Sequence, residues 1–561
     1  MKYRYLIIFY LILNNFTIAQ NFDQKWGLQL ISNNINNSKG SFDKQNNYIF
    51  ASVNIHQVNL YFNPIDSFKF INNYGMTLSS INSTGINSWT KLFAISSYNL
   101  SLQDICTDSN NNIYILGTFI TTLFYGNNFQ DSLRCSQHGK SPNGFVAKLS
   151  STGTILWVKQ IVVNKDINYL KIRINAQNQP ILFGNYKGTI DFDLGPQSQL
   201  NYGSNTKDKS FINQYDENMN LIWYKTFGQN DSDCEFYDFE LDQNNDIVIV
   251  GYLNGTVDLD PSTSINNLTL NENGMFVLKL TSSGDYLWHK HFKDNNTYKS
   301  WCENLTISDN NAILLNFYLD DVYNIETDSS KLTEVASNGN YDILIVALNT
   351  NGETIWHYQI GGLYKDEPNK IVSNDKGIFI SGDFVGNIDF DASPSSAFYL
   401  NSEDKTTSFL LHLDNDGKFE TAHKFQSNIY TKSFDLDVNE KYIMLCGAFK
   451  DSLLLRNQLL VNNRLDIPKS GFIINFAFQQ NNTSLINNDN KIMYNVYPNP
   501  VSTILNVNGF NSNADYTIFN SLGQEVLTGV LIENYIDISQ LSNGIYTLKL
   551  NNTNSKIIVQ K

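Results

Sequence analysis

Basic residues are scarce in this chain: 39 Lys and Arg stand against 54 Asp and Glu, a formal net charge of −15 at pH 7. That balance excludes a nucleic-acid backbone as partner, because such binding needs clustered Lys and Arg to release counterions. A solvated acidic surface is its ordinary meaning. Cysteine is sparse too. The five, at 106, 135, 234, 302 and 446, are too few for a disulfide framework and match no zinc spacing, and an odd number leaves at least one thiol free or intermolecular. Cys446 lies in the apolar stretch 442–447 and reads as buried, while Cys106 with Cys135 is a candidate bridge.

Helical periodicity is missing, since no window carries the sustained apolar stripe of an amphipathic helix. Long apolar runs are missing as well. The run at residues 5–13 falls well short of the roughly 20 residues a spanning helix needs, so no membrane span is expected. With Lys2 and Arg4 before it and Thr17-Ile18-Ala19 after it, it reads as a signal peptide, residues 1–19, cut ahead of Gln20. Catalytic signatures are absent: there is no Gly-x-Ser-x-Gly elbow, phosphate loop or His-Glu-x-x-His segment. Acids are so plentiful that no glycosidase-type pair stands out.

What fills the chain is a repeat. The segment Ser282-Ser-Gly-Asp-Tyr-Leu-Trp-His-Lys-His-Phe292 recurs seven times, aligned on Trp26, Trp89, Trp157, Trp223, Trp288 and Trp356, with a degenerate copy at Ala422. Self-similarity at a fixed period, here roughly 65 residues, signals a propeller or solenoid. Each unit reads as four short strands, a to d. In the fifth, residues 305–308 turn through Asp309-Asn-Asn311 into 312–318, and 342–348 turn through Asn349-Thr-Asn-Gly352 into 354–359. The chain is therefore predicted to be all-β, with one seven-bladed β-propeller over residues 20–479. The first unit opens on an orphan strand d, residues 25–31, and the last a-b-c set, 434–478, lacks one. The N-terminal strand is predicted to close the ring by pairing near Phe472 to Phe478.

A Gly-containing c-d turn with Trp on strand d resembles the tryptophan-docked propellers of the quinoprotein type, and the β-propeller repeats of large exported bacterial proteins. The resemblance covers roughly residues 21–480. A large aromatic there can wedge between neighbouring blades and bury roughly 150–250 Å². Ala422 departs from the pattern, leaving Phe419 or Phe425 to dock that blade. Residues 480–493, with Asn487-Asn-Asp-Asn490, read as a polar linker. Beyond it, Tyr494-Asn-Val-Tyr-Pro-Asn-Pro500, Ser521-Leu-Gly-Gln524 and Gly544-Ile-Tyr-Thr-Leu-Lys-Leu550 appear in order. That series resembles the C-terminal sorting domain of the type IX secretion system. The resemblance implies a small β-sandwich at 494–561, the secretion machinery as its partner, a secreted or outer-cell-surface location, and removal of the tail on arrival.

Three connections after strand b share a motif: Gly188-Thr-Ile-Asp-Phe-Asp-Leu-Gly-Pro196, Gly255-Thr-Val-Asp-Leu-Asp-Pro261 and Gly386-Asn-Ile-Asp-Phe-Asp-Ala-Ser-Pro394. Alternate residues of an extended segment share a face, so Asp191 with Asp193, Asp258 with Asp260, and Asp389 with Asp391 are candidate calcium ligands. Turn-forming Asp before Gly and Pro is the competing explanation. Histidines 289, 357 and 423 occupy equivalent strand-d positions, too far apart between blades to converge on a metal, and read as solvated surface residues.

In an a-b-c-d blade the b-c and d-to-a connections share one face, and here they are the long ones: 188–210, 228–235, 293–303 and 319–341. They carry Asp231, Asp233, Asp294, Tyr298 and Trp301. Exposed aromatics beside carboxylates on such loops suit polar ligands such as sugars. The expectation is an exported binding or adhesion scaffold for a glycan or protein ligand. The alternative is a secreted hydrolase with its site on the same long-loop face.

Overall fold

The computed structural model describes residues 22–32, 37–60, 67–97, 99–136, 140–195, 198–228, 232–292, 301–320, 322–327, 330–455, 458–461, 469–478, 495–497, 501–508, 514–520, 524–531, 535–550 and 553–561. The signal-peptide and linker assignments lie outside these residues, as do Asp231, Asp294 and Tyr298. The chain divides into two compact units, Met1–Gln479 and Gln480–Lys561. It is all-β: among the described residues the helical element is one 3-10 turn, Asn127–Phe129.

In the first unit the strands group into seven antiparallel sets of four. The fifth shows the pattern: Trp301–Ile307, Ile313–Leu319, Asp342–Leu348 and Thr354–Ile360, called strands a to d, each paired with the next. Strands b and c are buried along their whole length, which explains their unbroken apolar sequence, Ile-Leu-Leu-Asn-Phe-Tyr-Leu and Asp-Ile-Leu-Ile-Val-Ala-Leu. Strand d alternates between half-exposed and exposed positions over Thr354 to His357, as an outer strand does, and buries Tyr358 and Ile360 at its end. The seventh set is completed from the other end of the chain. Phe22–Ser32 pairs antiparallel with Ser470–Phe478, from Phe22 opposite Phe478 to Leu30 opposite Gly471, as the orphan strand predicts. Its last residues also pair with Val58 to Leu60 of the first set, so the first and seventh sets belong to one ten-stranded sheet.

Each apolar core lies between adjacent sets. Leu102 and Ala147 of the second set pack with Ile49 and Leu78 of the first; Leu305 and Val346 of the fifth pack with Val250 and Val277 of the fourth. Cys446 and Ile473 of the seventh set share a core with Leu30, Tyr48 and Phe50. Strand a of each set touches strand a of the next, and the seventh touches the first.

The turns obey two rules. The a-b turns place Asn in the left-handed region, at Asn46, Asn111, Asn178, Asn245 and Asn311, with φ between 59° and 64°. The side chains of three of them cap the neighbouring turn: Asn111 Oδ1 accepts from Lys44 N at 2.8 Å, Asn178 from Ser109 N at 3.0 Å, Asn245 from Ala176 N at 3.1 Å. Five of the six c-d turns use Gly instead, at 85, 153, 284, 352 and 417, while the third set has Met219 there at φ 63°. At the five glycines an added Cβ would stand 2.8–3.0 Å from the indole of Trp26, Trp89, Trp223, Trp288 or Trp356 in the preceding set.

Ala422 is explained by the same contact. The seventh set has no c-d turn, since its strand d comes from the N-terminus, so a tryptophan at 422 would have no turn to dock on. Phe425 makes the contact between sets, 5.9 Å from Phe476, whereas Phe419 stacks on Phe398 of its own set.

The b-c connections are not the plain loops the sequence suggests. They carry second hairpins, such as Thr189–Asp191 with Leu200–Tyr202 and Asn387–Asp389 with Tyr399–Asn401. The expected Cys106–Cys135 bridge does not form. Cys106 sits by the a-b turn and Cys135 at the opposite end of the set, its thiol 2.9 Å from Asn143 Oδ1, and all five cysteines are free. Cys446 is fully buried, as expected.

The second unit has a three-stranded sheet, Asn495–Tyr497, Ile504–Asn508 and Tyr535–Asp537, and a four-stranded one built on Ala514–Phe519 and Gly544–Leu550. Val507, Ile518, Ile536, Leu548 and Ile557 share its core.

Candidate functional site

Strand a carries a bulge in six of the sets, before Asp104, Lys171, Asp238, Asn304, Lys370 and Asp435. An extra residue re-aims the side chain that follows it. Asp104 accepts from Ile172 N at 3.0 Å, Asp238 from Leu305 N at 3.2 Å, Asn304 from Ile371 N at 2.9 Å and Asp435 from Gly40 N at 2.9 Å. Each donor directly follows the equivalent residue of the next set, so Lys39 takes the place in the first. In chain order the positions read Lys39, Asp104, Lys171, Asp238, Asn304, Lys370, Asp435: positive and negative alternate, with one neutral residue.

Seven positions cannot alternate in sign all the way round, and Asn304 stands where the pattern must break. Lys171 lies 3.3 Å from Asp238, and Arg173 joins Asp104 at 3.0 Å to Glu240 at 2.8 Å. Burial opposes the charge on Asp238, but Lys171, Lys370 and Arg173 hold its carboxyl down at about 2. Burial also lowers Lys370, outweighing its attraction to Asp238. These groups satisfy one another, so the inner strands present a neutralised network instead of a free ligand site. Repeat alignment could have found it, since Asp104 and Asp238 recur at one position of strand a.

At the other end of the same strands, where the b-c and d-to-a connections arrive, aromatics gather. Trp301 opens strand a of the fifth set, stacked on Tyr318 at 4.4 Å and 23° and edge-on to Tyr341 at 5.7 Å. Its indole NH donates to Glu303 at 3.3 Å. Tyr318 lies at the end of strand b and Tyr341 precedes strand c, so the two ends of the b-c connection and the end of the d-to-a connection meet in one cluster. On one side Tyr237 lies 5.3 Å from the exposed Tyr169. On the other, the Lys365 ammonium sits over the Tyr341 ring at 5.5 Å and contacts Glu367 at 2.5 Å, which also takes Lys432 at 2.8 Å. Lys469 covers Tyr430 at 5.4 Å. Glu303 reaches solvent yet is enclosed by its neighbours, and that enclosure pushes its carboxyl up, against the indole hydrogen bond.

Of the sequence candidates, Trp301 belongs to this cluster. Asp233 is spent on Lys207 at 2.7 Å and on the Asp208 amide. The Asp pairs close hairpins. Asp191 Oδ1 accepts from Asp193 N and Gln199 N, Asp258 Oδ1 from Asp260 N and Asn266 N, and Asp389 Oδ1 from Asp391 N and Phe398 N, at 2.7–3.1 Å. Asp193, Asp260 and Asp391 cap the next turn, on Gly195, Ser262 and Ser393. Asn324 does the same for Glu326 and Thr333 in the fifth set, where no Asp pair exists. A neutral amide thus does the same work in the fifth set, and among the described residues no group of three or more His, Cys, Asp or Glu could hold a metal ion. His289 is half-buried, bonded to Tyr286 at 3.0 Å, and burial lowers its pKa. His357 lines a polar cleft of about 440 Å³ with Gln359, Asp389 and Asp391.

Residues 495–561 match the family described as Secretion system C-terminal sorting domain. This is the sorting domain of the type IX secretion system, which directs export to the outer cell surface, with attachment there or release. No curated protein matches the chain. Among solved structures the chain is similar to an ulvan lyase of a new polysaccharide lyase family, at 9% identity over 74% of this chain and 91% of that one, with a TM-score of 0.41. It is similar to PorZ, a surface component of the type IX secretion system of Porphyromonas gingivalis, at 10% identity over 97% and 100%, TM-score 0.16. A family 32 glycoside hydrolase from Bifidobacterium adolescentis aligns at 11% identity over 81% and 82%, TM-score 0.25. At these scores none of the three carries an argument about activity.

Proposed function

We propose that residues 20–479 are a seven-bladed β-propeller, closed by strand Phe22–Ser32, that is exported by the type IX route and binds a glycan on its long-connection face. Support for the propeller comes from the seven four-stranded sets, the inter-set cores and the inner strands that follow one another in a cycle. The observation that carries the binding reading is the Trp301, Tyr318 and Tyr341 cluster beside Glu303. Flat aromatic faces beside polar groups match the two surfaces of a sugar ring, its apolar C–H face and its hydroxyl edge. Mature protein and its Trp301→Ala and Tyr341→Ala variants would be screened on a glycan array. Binding by the parent and its loss in both variants is the expected result; a parent that binds no glycan refutes it.

A second reading, an exported hydrolase or lyase at the same place, is favoured by Glu303. A carboxyl held above its usual range near reachable solvent is suited to general-acid work. Turnover of a polysaccharide panel, abolished by Glu303→Gln with binding retained, would establish it over the non-catalytic one.

A further inference from the structure

On a chain of formal net charge −15, the lysines of one arc of this face are out of character. Lys469 lies over Tyr430, Lys432 and Lys365 flank Glu367, and Lys365 lies over Tyr341, which touches Trp301. The strip runs from the seventh set through the sixth to the fifth in the order Lys469, Tyr430, Lys432, Glu367, Lys365, Tyr341 and Trp301, with Tyr430 and Lys432 two residues apart on one strand.

Two of the three lysines, Lys365 and Lys432, share Glu367, and the strip's other surface carboxylate, Glu303, is bonded to the Trp301 indole. The next carboxylate inward, Asp383, is buried and taken up by Ser408 at 2.7 Å, Ser433 N at 3.0 Å and Asn369 at 2.8 Å. No carboxylate pairs with Lys469 among the described ion pairs, and its ammonium lies over the Tyr430 ring at 5.4 Å. A strip with this composition is over-supplied with donors for anionic groups and supplied with ring faces between them.

We infer that the ligand of this face is an acidic glycan, one carrying carboxylate or sulfate groups on successive sugars, with Lys365, Lys432 and Lys469 holding the anionic groups and Trp301, Tyr341 and Tyr430 the ring faces. The inference rests on the glycan-binding reading of the face and adds the charge of the ligand. A simple polyanion is a weaker match, because charge alone does not require the intervening aromatic surfaces.

The test is calorimetry of the mature protein with four probes: a galacturonate hexamer, a sulfated galactan hexamer, a neutral galactan hexamer and a glutamate hexapeptide. One or both acidic sugars should bind about tenfold tighter than the neutral one at low salt, with the advantage shrinking as salt is raised. The preferred acid identifies carboxylate or sulfate as the recognised group. A Lys365→Gln, Lys469→Gln double variant should lose that advantage, while Trp301→Ala should weaken the binding of neutral and acidic sugars alike. Equal binding of neutral and acidic sugars, unaffected by the lysine changes, would overturn the acidic inference and leave the glycan reading standing. Binding of the peptide alone, indifferent to Trp301→Ala, would overturn both, as would no binding of any sugar.

Discussion

The indole of Trp288, on strand d of the fourth set, packs on Gly352, in the c-d turn of the fifth, 2.8 Å from where a Cβ would stand, while its NH donates to Thr350 O at 3.2 Å. One tryptophan thus reads both the shape and the backbone polarity of its neighbour's turn. Gly352, at φ 78°, is required twice over, by its backbone and by the ring above it. A Gly352→Ala change should cost about 1–2 kcal/mol for the left-handed backbone alone, and more for displacing the indole. The urea midpoint should fall while any glycan affinity is kept; an unchanged midpoint would show that the contact does not matter.

Ala422 tests the same rule in reverse. It is 1% exposed and faces no c-d turn, so Ala422→Trp should destabilise by about 1–3 kcal/mol through overpacking. A stabilised variant would mean that a docking partner exists after all.

The pairing of Phe22–Ser32 with Ser470–Phe478 joins the two ends of the first unit. Deleting residues 21–32 should expose strand Ser470–Phe478 as an unpaired apolar edge, lowering the melting temperature and producing aggregates in light scattering. A deletion variant that stays monomeric with an unchanged melt would refute the proposed closure.

Asn304 is the neutral member among the inner-strand charges, and its amide also donates to Asn369 O at 2.9 Å. Asn304→Asp loses that donor and sets a new carboxylate next in line to Asp238, at a cost of about 1–3 kcal/mol. The loss should shrink as pH is lowered and the new group takes up a proton. A pH-independent loss would point to the missing hydrogen bond alone.

Stability should peak at mildly acidic pH. Burial raises Asp383 to about 6 and Asp366 and Asp437 to about 7, so these groups bind protons more readily folded than unfolded. Their contribution is full below the unfolded carboxylate range, near pH 4, and is lost as pH rises through 6 to 7. Asp238, held down at about 2, works the other way: its contribution is present above about pH 4 and lost as pH falls toward 2. Thermal melts between pH 3 and 8 should therefore show a maximum near pH 4 and a decline toward pH 7, and a monotonic rise to pH 8 would contradict this balance.

Much of this protein was legible in its residues taken in order. The tryptophan repeat, the continuous apolar b and c strands, the orphan strand that pairs near Phe472, and the tail that matches a sorting domain are local patterns, and short-range backbone and burial preferences are enough to produce them. What the residues in order did not disclose depends on hairpin closure within the b-c connections and, more often, on neighbours roughly 65 positions away. Asp191 with Asp193 looked like cation ligands because the hairpin amides they cap cannot be seen from composition. The reason for Gly in the c-d turns emerged when the structure placed an indole over the glycine. Ala422 looked like decay of a motif, and became intelligible once strand d of the last set was found to come from the other end of the chain. The charges from Lys39 to Asp435, and the strip from Lys469 to Trp301, likewise arise from packing successive sets side by side. For these charges the partner lies in the next repeat, so only the tertiary structure decides whether a charge is neutralised or left to bind.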